Sequence, residues 1–139
     1  MPGLRRSYYE VSSAQKRMYV LQEMDPQGTA YNMPAVLVVE GELDRERLEW
    51  AFGQLVARHE SLRTRFVVQG GIPVQEVLDE ISFAPVYREG TEAEAEEWAR
   101  EFVRLFNLGE APLLRVEVMV LGAERHLLAI DMHHIISDG

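Results

Sequence analysis

Stretches whose apolar residues recur every three or four positions alternate along the chain with β-branched runs and turn residues. The first helical stretch is expected from about Ser13 to Met24. Ser12 and Gln15 have the spacing of a capping box, in which each side chain accepts from the other's backbone amide. Ala14, Met18, Val20 and Leu21 are the expected inward residues, with Lys16 and Arg17 partly exposed, and Asp25-Pro26-Gln27-Gly28 should break the helix. The run MPAVLVVE at 33–40 reads as a strand, and Gly41 and Glu42 turn the chain. Asp44 then caps a second helix, with Leu43 and Leu48 at the positions of a hydrophobic staple. Its core stripe is expected to be Leu48, Ala51 or Phe52, Leu55 and Val56. Gly53 inside this helix costs up to about 1 kcal/mol relative to alanine, which suggests close packing there. The helix should end near Arg58-His59-Glu60.

Residues 64–69 and 72–78 read as two strands of a hairpin turning at Gly70-Gly71. Residues 82–87 are a weaker strand, placed at an edge by Pro85. Thr91 and Glu94 form a second capping box. The helix behind it carries Ala95, Trp98, Ala99, Phe102, Leu105 and Phe106 on one stripe and should stop at Asn107-Leu108-Gly109. Residues 113–121 and 125–132 close the chain as strands around Gly122-Ala123-Glu124. Residues 1–10 are a linker or an edge segment. The interleaving predicts an α/β (α+β) two-layer sandwich, a mixed β-sheet covered by helices.

Composition narrows the function. The chain has 139 residues, 47% of them hydrophobic, enough for one domain with a real core. Asp and Glu number 23 against 14 Lys and Arg, a net charge of −9, which argues against nucleic acid as a partner. There is no cysteine, which fits a cytoplasmic setting and removes thiolate chemistry. No apolar run approaches the ~20 residues of a membrane span, so no membrane partner is expected.

Candidate chemistry gathers in Met132-His133-His134-Ile135-Ile136-Ser137-Asp138-Gly139, at the end of an apolar strand. Alternation sends the two histidines to opposite faces, His134 with Leu128, Ile130 and Met132, and His133 with Leu127, Ala129 and Asp131. This holds if the strand continues through the pair. Histidines at a strand end are commonly structural. A metal site is disfavoured because adjacent strand residues diverge and no third His or Cys lies near. A neutral imidazole can also serve as a general base. Ser137 lacks a Gly-x-Ser-x-Gly elbow, so a nucleophile would come from a substrate. Upstream, Arg58, His59, Glu60, Arg63, Thr64 and Arg65 crowd a helix end. The simpler reading is a solvated turn, with arginines favouring the negative helix terminus. The sharper one is an arginine, Arg58 or Arg63, gripping Asp138 and locking the histidine turn.

Three stretches resemble one family. Ser13-Ala14-Gln15-Lys16-Arg17-Met18-Tyr19, Arg58-His59-Glu60-Ser61-Leu62-Arg63-Thr64-Arg65-Phe66 and His133-His134-Ile135-Ile136-Ser137-Asp138-Gly139 are similar to the first three core motifs of the condensation domains of nonribosomal peptide synthetases. Their order and intervals match, and Phe106-Asn107-Leu108 and Pro112-Leu113-Leu114-Arg115 also resemble the family. The His-His-x-x-x-Asp-Gly signature alone is shared with epimerisation domains and chloramphenicol acetyltransferase-like acyltransferases; heterocyclisation domains replace the paired histidines. The resemblance implies that residues 11–139 are the N-terminal lobe of a V-shaped domain, chloramphenicol acetyltransferase-like and truncated after the third motif, so that the chain alone is expected to be inactive. It implies donor and acceptor peptidyl carrier proteins and a C-terminal lobe as partners. No cofactor is expected on this lobe, because substrates arrive on phosphopantetheine arms. It also implies His134 as the catalytic residue, His133 as its support, Asp138 as structural, and Gly139 as room for an arm in the tunnel. The alternatives are a non-catalytic carrier-protein docking module and a coenzyme A-dependent acyltransferase or an epimerisation domain of the same superfamily.

Overall fold

The computed structural model describes residues 6–25 and 27–137. The order of elements is β1 (Arg6–Glu10), α1 (Ser13–Met24), β2 (Ala35–Glu40), α2 (Arg45–Arg58), a 3-10 turn (Glu60–Arg63), β3 (Thr64–Gln69), β4 (Ile72–Leu78), β5 (Val86–Glu89), α3 (Glu92–Phe102), β6 (Leu114–Gly122), β7 (Arg125–Met132) and a final 3-10 turn (His134–Ile136). The mixed sheet is four-stranded, in the order β2-β7-β6-β5, with only the β5–β6 pair parallel. The hairpin does not join it. β3 and β4 pair across Gly70 and Gly71, and β1 adds to the other side of β4, giving a second, antiparallel sheet in the order β1-β4-β3. Both turn glycines have positive φ, 59° and 79°, as a two-residue type I′ connection requires. Residues 6–10, read from sequence as linker or edge, form that sheet's edge strand.

The four-stranded sheet is covered on both faces. On one, Trp98 and Phe102 of α3 pack with Met119, Leu127 and Ala129. On the other, a larger core gathers Met18 of α1, Val56 of α2, Phe66 of β3, and Leu114 and Val116 of β6 with Ile135 and Ile136. Both cores are built of apolar side chains, whose burial is the main source of folding free energy at about 25 cal/mol per Å² of apolar surface removed from water.

Each helix departs from its expected face or length. In α1 the capping box forms, with Gln15 N donating to Ser12 Oγ at 3.1 Å and Ser12 N to Gln15 Oε1 at 3.0 Å. Met18 is buried, but Ala14, Val20 and Leu21 are exposed, and Gln15 and Gln22 point inward. Gln15, Met18 and Gln22 fall at i, i+3 and i+7, one helical face. Burying amides is tolerable only where partners wait for them, and both find such partners. In α2 the Asp44 cap holds, donated to by Arg47 N at 3.2 Å, yet only Val56 is buried. Leu55 and Ala51 are exposed and Phe52 is partly buried. The close packing expected at Gly53 is absent: a Cβ there would meet no atom within 4 Å, because the residue lines an open groove with Val56, Arg63 and Ile81.

Helix α3 ends at Phe102, short of Asn107. Arg115 Nη1 takes the carbonyl of Arg104 at 2.9 Å and its Nη2 that of Leu105 at 2.5 Å, while Asn32 Nδ2 also donates to Arg104 O at 2.8 Å. Carbonyls that a continuing helix would leave at its own end are thus bound by side chains from elsewhere. The chain leaves the helix through an extended Val103, and Phe106 crosses to the larger core while Phe102 packs in the α3 core. The expected single stripe is split between the two faces of the sheet.

Candidate functional site

Strand β7 delivers both histidines. Its odd residues Leu127, Ala129 and Asp131 are buried, and His133 follows them to zero exposure, whereas Leu128, Ile130, Met132 and His134 are partly exposed. The strand itself stops at Met132. His133 makes one further bridge, to Asn32, and the backbone then winds into the 3-10 turn that begins at His134. The condition for alternation through the pair is therefore not met: the strand ends one residue short, and the His133 ring stands against Tyr31 and Phe106 of the larger core, whereas Leu127 and Ala129 pack in the α3 core.

His133 is held on every side. Its amide donates to Leu113 O at 3.1 Å. Its ring lies 6.0 Å from Tyr31 and 6.1 Å, edge-on, from Phe106. Nδ1 accepts from Ile135 N at 3.0 Å, and Nε2 lies 3.1 Å from Gln22 Oε1. An amide N–H can only donate, so Nδ1 carries a lone pair and the neutral ring bears its proton on Nε2. Burial, and secondarily the neighbouring His134, push the His133 pKa down to about 4. The ring is neutral and bonded at both nitrogens.

His134 is oriented by its backbone. Its amide donates to Tyr31 O at 2.8 Å, and Ser137 Oγ donates to His134 O at 2.7 Å while lying 3.4 Å from its Nδ1. Gln15 Nε2 donates to Ile135 O at 3.1 Å, and Gln15 Oε1 accepts from Gln75 Nε2 at 3.1 Å. The turn bearing His134 is thereby tied to α1 and, through Gln75, to β4.

A second polar layer lies behind. The fully buried Asp131 accepts at Oδ2 from Asn32 Nδ2 at 2.7 Å, and burial raises its pKa against the opposing pull of that bond. Arg115, whose pKa is lowered by burial and then by Arg104, lies 4.0 Å over the Phe106 ring that packs on His133.

Of the residues read from sequence, His133 and His134 share one turn with opposite surroundings. Arg63 Nε donates to Val56 O at 3.1 Å, and Nη1 to Leu78 O at 2.6 Å and Asp79 O at 3.4 Å, closing the corner between α2 and β4. Arg58 is exposed in the last turn of α2. Asp138 and Gly139 lie outside the described residues. Gln22, Asn32 and Asp131 were missed as site residues, and Gln15 and Arg115 entered only as motif members. Their signal was weak but present for the glutamines, which share a face with Met18 seven positions apart. Among the described residues no group of three or more His, Cys, Asp or Glu could hold a metal ion, and no helix is long and apolar enough to cross a membrane.

A buried, tautomer-fixed histidine beside a partly exposed one, at the end of a strand between two cores, defines a class by its motif and fold together. The family profile described as condensation domain matches residues 5–139, and the chain belongs to that family. It is 50% identical over 138 residues to tyrocidine synthase 3 of Brevibacillus parabrevis, covering 99% of this chain and 2% of that protein. It is 49% identical over 138 residues to gramicidin S synthase 2 of Brevibacillus brevis, covering 99% of this chain and 3% of that protein. Among solved structures, the first condensation domain of the CDA synthetase superposes with a TM-score of 0.79 at 24% identity, over 92% of this chain and 35% of the other. The X-domain from teicoplanin biosynthesis superposes with a TM-score of 0.81 at 26% identity, over 91% of this chain and 28% of the other.

Proposed function

We propose that the chain is the N-terminal lobe of a peptide-bond-forming condensation domain in a nonribosomal peptide synthetase. The donor acyl or peptidyl group and the acceptor aminoacyl group arrive as thioesters on the phosphopantetheine arms of two carrier proteins, and a C-terminal lobe completes the tunnel. The acceptor amine attacks the donor carbonyl, the C–N bond forms, the C–S bond breaks, and the amine's proton ends on the departing thiol. The observation that carries this reading is the division of labour in the histidine pair: His133 is buried, neutral and fully bonded, while His134 is partly exposed on a turn pinned from α1. His134 is assigned as the general base or the group orienting the amine. Asp138 is assigned to locking the turn and Gly139 to leaving room for an arm. Arg58 and Arg63 are the candidate partners of Asp138, and of the two Arg63 already donates to three carbonyls.

The test is dipeptide formation by the intact synthetase with both carriers preloaded. His134→Ala is expected to lower the rate about 10²–10⁴-fold if the imidazole is a general base. A loss nearer 10-fold points to orientation instead. An unchanged rate overturns the assignment. The likeness to the X-domain, whose solved complex is with OxyB, favours one second reading, a docking module of the same fold. That reading predicts capture of a protein partner and no condensation. Acyl transfer from free coenzyme A, without carriers, would point to the wider acyltransferase superfamily.

A further inference from the structure

The geometry points to Gln22 as a positioning residue that sets the tautomer of His133 and, through it, the turn on which His134 stands. This rests on the reading of His134 as the residue at the reaction centre. Gln22 is 6% exposed and sits on the last turns of α1, outside the stretch that resembles the family's first motif. Its amide is held at both ends. Nε2 donates to Gly28 O at 3.3 Å, and Oε1 faces His133 Nε2 at 3.1 Å. Turning the amide over would set its oxygen against the Gly28 carbonyl. It would also set its NH₂ against Nε2, which could accept only if the ring proton moved to Nδ1, where the Ile135 N–H already points. One arrangement satisfies all four groups, and each alternative buries at least one facing pair of donors or acceptors.

The consequence for His134 is mechanical. The Nδ1 lone pair captures the amide of Ile135, two residues on, and that bond starts the 3-10 turn at His134. Gln15 holds the carbonyl of the same Ile135 at 3.1 Å. The two peptide units that flank Ile135 are thus each held from one face of α1, the following one directly through Gln15 and the preceding one indirectly through Gln22. The titratable or charged groups around His133 are the phenol of Tyr31, the adjacent His134, Asp131 two positions back on β7, and Arg115 against the Phe106 ring. Gln22 itself is neutral, so the support is indifferent to pH until the ring takes a second proton.

Two substitutions test this. Gln22→Glu places a carboxylate on Nε2–H and favours the imidazolium. The second proton, taken from solvent, lands on Nδ1 and meets the Ile135 N–H. Long-range proton–nitrogen spectra of the chain should then show Nδ1 becoming protonated as pH falls from about 8 toward 6, a range where the unsubstituted ring stays neutral. In the intact domain the same variant should gain an acid limb in its condensation rate. Gln22→Met keeps the side chain's bulk but removes both bonds; its kcat should fall about 10- to 100-fold with KM for the loaded carriers unchanged. The proposal is overturned if Nδ1 keeps its lone pair in Gln22→Glu across this range. It is equally overturned if both variants lose rate only in step with melting temperature and no acid limb appears. Should His134→Ala condense at full rate, the assignment of His134 fails, while the nitrogen spectra still decide whether Gln22 sets the tautomer.

Discussion

Acidification should destabilise the chain through His133 before it affects most carboxylates. The folded ring has its pKa pushed down to about 4, against 6.5 for the free side chain. The folded state therefore binds fewer protons than the unfolded state between these values. The stabilising contribution is fully present above pH 6.5 and is lost as pH falls toward 4. Each tenfold difference in proton affinity between the two states is worth about 1.4 kcal/mol, so lowering the pH from 7 to 4.5 removes about 2 kcal/mol. For a chain of this length that corresponds to a fall of roughly 6–10 °C in Tm. Asp131 acts in the opposite sense. Burial raises its pKa, so its contribution is present below the free value of 3.8 and is lost as pH rises through the folded value, which softens the acid loss at the low end of the window.

The assay is urea unfolding at half-unit intervals of pH, for the unsubstituted chain and for His133→Asn. Asparagine can place its Oδ1 near the position of Nδ1 and accept from Ile135 N–H, so the turn retains a cap while the titrating ring is gone. His59, His126 and His134 remain in both proteins and cancel in the comparison. The asparagine variant should be less stable at pH 7, where His133 contributes fully, and should lose less stability on acidification. Parallel curves for the two proteins from pH 7 to 4.5 would refute the reasoning, because they would mean that His133 takes its proton in the folded state at its ordinary pKa.

Two further outcomes follow from the packing. Arg115→Met should leave the carbonyl of Leu105 without its guanidinium donor and cost about 1–3 kcal/mol in urea unfolding; a loss below about 0.5 kcal/mol would mean that the segment after α3 holds its course unaided. The 139-residue chain by itself leaves the outer edge of β2 unpaired among the described residues, with Val36, Leu37 and Val38 each about half exposed. Such an edge pairs with other chains, so sedimentation should show self-association that Leu37→Lys relieves, and a monomer at high concentration without the substitution would count against it.

The features legible in the sequence were those set by neighbours in the chain. The ends of α1 follow from Ser12 and Gln15 at one end and the Asp25–Gly28 breaker at the other, and the hairpin follows from two glycines that take its positive φ without steric cost. What escaped depended on distant contacts. Gln15 and Gln22 look like surface residues to any count of apolar spacing, and only Ile135, Gly28 and His133 make their burial tolerable. The early end of α3 is written in Asn32 and Arg115. The pairing of β1 with β4, from Arg6 with Leu78 to Glu10 with Val74, joins segments far apart in the chain that no local pattern brings together. Parity along β7 did not carry through to the histidines, because the strand stops at Met132, and it could not say which of the two would be buried.

That choice has a physical logic that links the acid sensitivity to the role of Gln22. A buried histidine with two ring nitrogens needs one donor and one acceptor around it if it is to stay neutral and unfrustrated. Ile135 N–H is the donor and Gln22 Oε1 the acceptor. The stability measurement requires only that the folded ring be neutral; the nitrogen spectra require that its proton sit on Nε2. A chain that lost stability with acid while carrying its proton on Nδ1 would leave the Ile135 amide facing a donor, and α1 would hold the turn under His134 through Gln15 alone. The two measurements together therefore separate a ring that is merely buried from one that shapes the turn beside it.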